Sequence, residues 1–298
     1  MRTAAALLLG VVCIAVSASA QKTVPFTLEN NCIFLYCKIN ETDSLKFLFD
    51  TGADGSVINR DSPKAAAIVA DGKSVNTGSN GTNEVSTSSG NRVSFSGITR
   101  EPVSLMIIPF GTTDFDGVFG TNLMNQHVIQ IDYDHRVLKF YEPADLKWSA
   151  GEYDKMKIHY VGTYPTISCS MRIQNKTYSG YFGLDSGASD ALTVASPYVR
   201  KHSLKNKTTQ IASATFQGSD GSVYEMPIVS CPELSVGKKT FYAIPVNLSD
   251  AKEGIDASED MAGFFGNNFL KRFNMILDLK NGFIYLKPNE NLYTPFFN

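Results

Sequence analysis

The chain states one pattern twice, and this internal repeat restricts its fold more than any other feature. Phe47-Leu48-Phe49-Asp50-Thr51-Gly52-Ala53 is echoed by Phe182-Gly183-Leu184-Asp185-Ser186-Gly187-Ala188. In each copy an acidic residue ends a largely apolar run, and a small hydroxyl residue, a glycine and an alanine follow it. A single Asp-[Ser/Thr]-Gly arises by chance in about one chain of this length in ten, so one copy alone says little. Two copies in matching contexts say much more, and the echo continues. DGVFGTNLM (Asp116 to Met124) is matched by AGFFGNNFL (Ala262 to Leu270), and Asp132 and Asp278 follow Gly120 and Gly266 at the same distance. Between these landmarks lie GSNGT (Gly78 to Thr82) and GSDGS (Gly218 to Ser222). Asn-Gly and Asp-Gly favour the positive-φ turns that close β-hairpins, so both read as hairpin tips.

The remaining pattern is that of short strands. CIFLYCKI, LKFLFD, RVSF, VSLMIIP, VLKFY, TISCSMRI, SVYEMPIV, FYAIPV and FIYLK all have strand length and composition. Short helices are expected at DSPKAAAIVA, TNLMNQH and SPYVRKHSL, the last with Ser196 as cap and Pro197 in its first turn. The segment PADLKWSAGEYDK lacks the repeat and separates the halves. The reading is an all-β protein of two similar lobes, 21–150 and 151–298, related by pseudo-twofold symmetry and carrying short helices.

Residues 1–20 read as a secretory signal peptide: Arg2, the apolar run AAALLLGVVCIAV, then Ala18-Ser19-Ala20. The run is too short to span a bilayer comfortably, and no second one follows. Export to the periplasm or the extracellular space is therefore expected, with a soluble mature chain beginning near Gln21. The formal charge of −2 and the absence of a basic cluster give no reason to expect nucleic acid. Four cysteines remain after residue 20. Cys32 and Cys37 in one strand point to opposite faces and cannot pair; Cys169 and Cys231 are either a disulfide or two buried thiols. His127, His135, His159 and His202 lack ligand spacing and no C-x-x-C is present, so neither metal nor cofactor is expected.

Two lobes packed about a twofold would bring Asp50 and Asp185 together. Adjacent carboxylates cannot both ionise cheaply, so the pair shares a proton. The ionised partner can then take a proton from water while the protonated one polarises a carbonyl. Gly52 and Gly187 let the loops approach. Thr51 and Ser186 can bond backbone across the interface, and Ala53 and Ala188 bring no hydroxyl to stabilise an ionised carboxylate. The bland alternative is a pair of Asx-type turns with Asp in a capping role.

On these residues the chain resembles the retropepsin-like aspartic peptidases of the acid-protease fold. Asp50-Thr51-Gly52-Ala53-Asp54-Gly55-Ser56-Val57-Ile58 is similar to their active-site loop. Val118-Phe119-Gly120 and Phe264-Phe265-Gly266 are similar to the apolar pair plus glycine packed behind it. The resemblance implies a catalytic dyad of Asp50 and Asp185 cleaving a polypeptide without metal. It also implies flaps at Gly78-Ser79-Asn80-Gly81 and Gly218-Ser219-Asp220-Gly221, and substrate contacts from these tips and from Asp54. Asp190 does not align with Asp54. Both halves lie in one chain, so a monomer should suffice. The chain departs from pepsins in its two flaps, its lack of a flap tyrosine, the absence of room for a long prosegment, and Ala53 and Ala188 where pepsins carry Ser or Thr. The alanines should raise the dyad's lower apparent pKa, giving a mildly acidic to near-neutral optimum. The main alternative is a non-catalytic protein binding an extended peptide by β-augmentation. A glycosidase reading lacks an aromatic platform, and no G-x-S-x-G supports a serine nucleophile.

Overall fold

The computed structural model describes residues 21–142 and 152–297. The proposed signal peptide and the proposed lobe boundary near residue 150 both lie outside the described residues. The chain forms two eight-stranded sheets of identical plan and one six-stranded sheet shared between them. In the first, strands run in the order 27–29, 32–39, 45–49, 117–119, 56–59, 98–108, 82–95 and 72–77. In the second the order is 159–161, 164–173, 176–185, 263–266, 192–194, 239–248, 223–236 and 210–217. The duplicated sequence is thus a duplicated topology, an all-β fold of two lobes with short helices.

The shared sheet joins the halves. The strands Val128–Asp132 and Phe273–Asp278 pair antiparallel, with Gln130 opposite Ile276. Each starts just beyond the apolar-plus-glycine motif of its own lobe. The repeated Asp132 and Asp278 serve hairpin turns here: Asp132 accepts from the backbone N–H of His135 (3.1 Å), and Asp278 from that of Asn281 (3.2 Å). This is Asx-turn chemistry and belongs to the scaffold.

Strand alternation explains the core. Cys32–Ile39 places Ile33, Leu35, Cys37 and Ile39 on a fully buried face, with Tyr36 and Lys38 exposed. Phe47, Phe49 and Phe119 are buried in the first lobe and Phe182, Phe265 and Phe269 in the second. Phe49 stacks on Phe119 at 5.9 Å, and Phe182 meets Phe265 at 5.7 Å. The repeated apolar motifs therefore pack behind the repeated Asp loops.

Several local expectations are corrected. DSPKAAAIVA makes only a 3-10 turn at Pro63–Ala65, since so short a segment with little apolar face cannot hold a helix. The helix at 121 ends at Met124. Ser196 is not the cap of its helix: Ala195 is, and the Ser196 hydroxyl donates to the Ala251 carbonyl (2.5 Å). Of the two hairpin tips, the second has a positive-φ glycine, Gly221 (φ 82°), whereas Asn80 and Gly81 of the first keep negative φ. Cys32, Cys37, Cys169 and Cys231 are all free buried thiols, so Cys169 and Cys231 form no disulfide.

Candidate active site

Asp50 and Asp185 close the parallel-paired strands Leu45–Phe49 and Lys176–Asp185, each beside the glycine motif of its lobe. Leu48 lies opposite Val118, and Asp185 opposite Gly266. The two Asp loops then face each other. Gly52 N–H (2.7 Å) and Ala53 N–H (3.2 Å) donate to Asp50 Oδ1; Gly187 N–H (3.1 Å) and Ala188 N–H (3.0 Å) donate to Asp185 Oδ1. Each carboxyl is close enough to shift the pKa of the other. Burial raises the pKa of both, and at Asp185 the charge of Asp50 raises it further, while the loop N–H groups work in the opposite direction.

The hydroxyls interlock as their positions imply. Thr51 Oγ1 donates to the Leu184 carbonyl (2.7 Å) and accepts from Ser186 N–H (3.0 Å). Ser186 Oγ donates to the Phe49 carbonyl (2.8 Å) and accepts from Thr51 N–H (3.0 Å). Both residues are buried, and the four bonds fix one loop against the other. The glycines are required by close approach. A Cβ on Gly187 would lie 2.4 Å from Asp50 Cγ, and one on Gly52 would lie 2.9 Å from Asp185 Cγ. Ala53 and Ala188 carbonyls accept from Thr121 N–H (2.8 Å) and Asn267 N–H (2.7 Å), which ties each loop to its short helix.

The dyad sits on the floor of a cleft of about 720 Å³. Gly78, Ser79 and Ser219 of the hairpin tips line it, together with Asn76, Phe216 and Tyr224 further down the hairpins. Asn80, Gly81, Gly218, Asp220 and Gly221 do not line it; instead Asp220 packs against Gly78 and Gly81, tip against tip. Asn76 Nδ2 donates to Ser219 Oγ (3.3 Å) across the same junction. A loop of the second lobe also holds the first tip: Ile255 N–H donates to the Gly78 carbonyl (3.0 Å) and Asp256 N–H to that of Ser79 (2.9 Å). Asp54 is an exposed residue at the cleft edge, where it accepts from Thr163 Oγ1 (3.3 Å).

Three contributors went unread in the sequence. The Tyr164 hydroxyl lies over Gly52 and beside Asp185, whose pKa it lowers. Its counterpart in the first lobe is Cys32: each stands two residues before a residue paired with the position two before the Asp, Phe34 with Leu48 and Thr166 with Gly183. Cys32 Sγ donates weakly to the Gly187 carbonyl (3.5 Å), and burial holds its pKa near 12. The third is Asp256, fully buried on the cleft wall. Only strand register connects Tyr164 and Cys32, so no motif marks them. Among the described residues no group of three His, Cys, Asp or Glu could hold a metal ion, and no helix is long and apolar enough to cross a membrane.

Comparison with known proteins agrees with this geometry. A family model described as aspartyl protease matches residues 35–123. The structure of an aspartic proteinase from Irpex lacteus superposes with a TM-score of 0.60 at 14% identity, covering 92% of this chain and 99% of that one. Comparison with curated protein sequences returns no match. With the doubled topology and the paired Asp loops, these similarities place the chain in the two-lobed acid-protease fold of the aspartic peptidases.

Proposed function

We propose that the protein is an aspartic-type endopeptidase that hydrolyses polypeptides with water activated by Asp50 and Asp185. The observation that carries this reading is that two partly buried carboxyls are set against each other's loops on a cleft floor, each held by two N–H donors of its own loop. One proton is shared. The ionised carboxylate takes a proton from water, whose oxygen adds to the peptide carbonyl carbon. The protonated carboxyl donates to the carbonyl oxygen, and the resulting tetrahedral diol collapses as a proton passes to the leaving nitrogen. The grip of Thr51 and Ser186 keeps the carboxyls from relaxing apart as charge moves.

Burial of the dyad and the absence of a hydroxyl at Ala53 and Ala188 support an optimum from mildly acidic to near neutral. The Tyr164 hydroxyl supplies part of what the alanines omit, and on one side only. Residues 2–20 support export, and N-terminal sequencing of the secreted chain tests for a start near Gln21. Function is tested by digesting an unfolded protein with residues 21–298 across the pH range, beside Asp50→Asn and Asp185→Asn. Cleavage by the wild type that both variants lose is the expected result. A folded wild type that binds peptides and cuts none would favour the non-catalytic reading.

A further inference from the structure

The cleft has two unlike walls. The first lobe contributes Leu48, Val57, Met106, Ile108, Phe110, Phe115 and Val118, a continuous apolar surface. Strand pairing places Val57 opposite Val118 and Thr193 opposite Phe264, so Thr193 occupies the position of Val57 in the second lobe. There the wall turns polar. Thr193 Oγ1 (2.6 Å) and Asn247 Nδ2 (2.5 Å) both donate to Asp190 Oδ2. Asp256 stands nearby, with Tyr224 OH 3.4 Å from its Oδ2. Its other oxygen, Oδ1, is buried with no hydrogen-bond partner within 3.5 Å, although Ser249 lies beside the carboxyl. A fully buried carboxyl with an open acceptor is costly unless something arrives to satisfy it.

Nothing in the cleft supplies a countercharge. Its lining includes Asp50, Asp54, Asp185, Asp190 and Asp256, and no Lys, Arg or His. Asp190 and Asp256 each sense the charge of Asp185, and Asp256 that of Asp190, so they form one cluster beside the dyad. Burial foremost pushes Asp190 up to about 6 and Asp256 to about 7, and no cation lining the cleft offsets it.

We infer that Asp190 and Asp256 form a subsite that receives a Lys or Arg side chain of the peptide next to the scissile bond, while the apolar first-lobe wall receives the residue on the bond's other side. This rests on the endopeptidase reading and deepens it. An extended peptide crossing the dyad presents side chains to both lobes. The ammonium or guanidinium donates charge-assisted hydrogen bonds to the two carboxylates, including the open Asp256 Oδ1, and its methylene stem lies along Met226, Met261 and Phe264. An isosteric apolar side chain leaves the Asp256 acceptor unanswered and gives neither carboxyl a countercharge, so it is rejected.

The test uses residues 21–298 and paired fluorogenic peptides that differ only by Lys or norleucine at one position flanking an apolar residue, scanned on both sides. In the wild type, kcat/KM for the Lys peptide should exceed that for its norleucine twin by at least about 10-fold. Asp256→Asn and Asp190→Asn should each reduce that ratio toward one. Robust cleavage with norleucine equal to or better than Lys on both sides overturns the subsite and leaves the endopeptidase reading standing. If no peptide is cut, fluorescence anisotropy of the same peptides on the wild-type chain decides. Binding of the Lys peptide at least about 10-fold tighter keeps the subsite, and equal affinity removes it.

Discussion

The two lobes share a plan and differ in what they offer a substrate. At the dyad they are nearly interchangeable: Thr51 mirrors Ser186, Gly52 mirrors Gly187, and each carboxylate accepts the same two backbone N–H bonds. Away from the dyad they diverge. One wall is apolar where the other carries Asp190 and Asp256. Cys32 faces a backbone carbonyl where Tyr164 faces Asp185. The difference separates two demands on a duplicated fold. On the proposed endopeptidase reading, a shared proton is served by matched surroundings at the axis, whereas a peptide, which has direction, is served by asymmetry on either side of it.

The strongest test of the symmetric part is its chemistry. Asp50→Asn and Asp185→Asn should each lower the cleavage rate by on the order of 10⁴-fold, because either change removes one partner of a shared-proton pair. A large loss from one variant only, in single-turnover digestion, would break the equivalence. Gly187→Ala and Gly52→Ala come next. Each drives a methyl into the opposite carboxyl, and the closer contact at Gly187 predicts the larger loss of activity and a destabilisation of about 1–3 kcal/mol by urea unfolding. Thr51→Val and Ser186→Ala each strand buried backbone groups across the interface. Both should cost about 2 kcal/mol, and a clear inequality between them would show that the grip is one-sided.

The asymmetric part has a pH signature. Burial foremost pushes the Asp256 carboxyl up to about 7 in the fold, from near 4 when unfolded. Its folded pKa is raised, so the stability it confers is complete below about pH 4 and is lost as pH rises through 7. Asp190, Asp185, Tyr224 and Ser249 face it, and among the described residues no Lys, Arg or His lines the cleft it borders. Wild type and Asp256→Asn should therefore melt alike in acid. The variant should gain several degrees relative to wild type at about pH 8, read as Tm against pH; a constant difference would contradict the buried-acid account. The smallest expected effect is that of Tyr164→Phe. Losing its hydroxyl removes a group that lowers the Asp185 pKa and should move the acidic limb of the pH–rate profile upward by less than about one unit. Cys32→Ser, at the matching position, should leave that limb in place.

The sequence carried the dyad because its requirements are local. An Asp at a strand end, a hydroxyl to interlock and a glycine at the point of closest approach must follow one another, and the duplication repeats them. The hairpin tips were legible for the same reason, although their role was only partly so: Gly78, Ser79 and Ser219 reach the cleft, while Asp220 turns to the other tip. Short strands such as Ser56–Asn59, Gly117–Phe119 and Leu192–Val194 escaped notice, being too short to show a period. The Ser196 cap failed because a tertiary acceptor, the Ala251 carbonyl, draws that hydroxyl away from the helix end.

By itself the sequence determined a duplicated all-β chain and the two carboxyls that its repeat presents, since both follow from neighbours along the chain. Only the tertiary structure decided which residues surround those carboxyls. Tyr164 reaches Asp185 through strand register, and Asp190 and Asp256 line one cleft although 66 positions separate them. Burial, countercharge and an unanswered hydrogen-bond acceptor are properties of what folds around a group, and no local pattern encodes them.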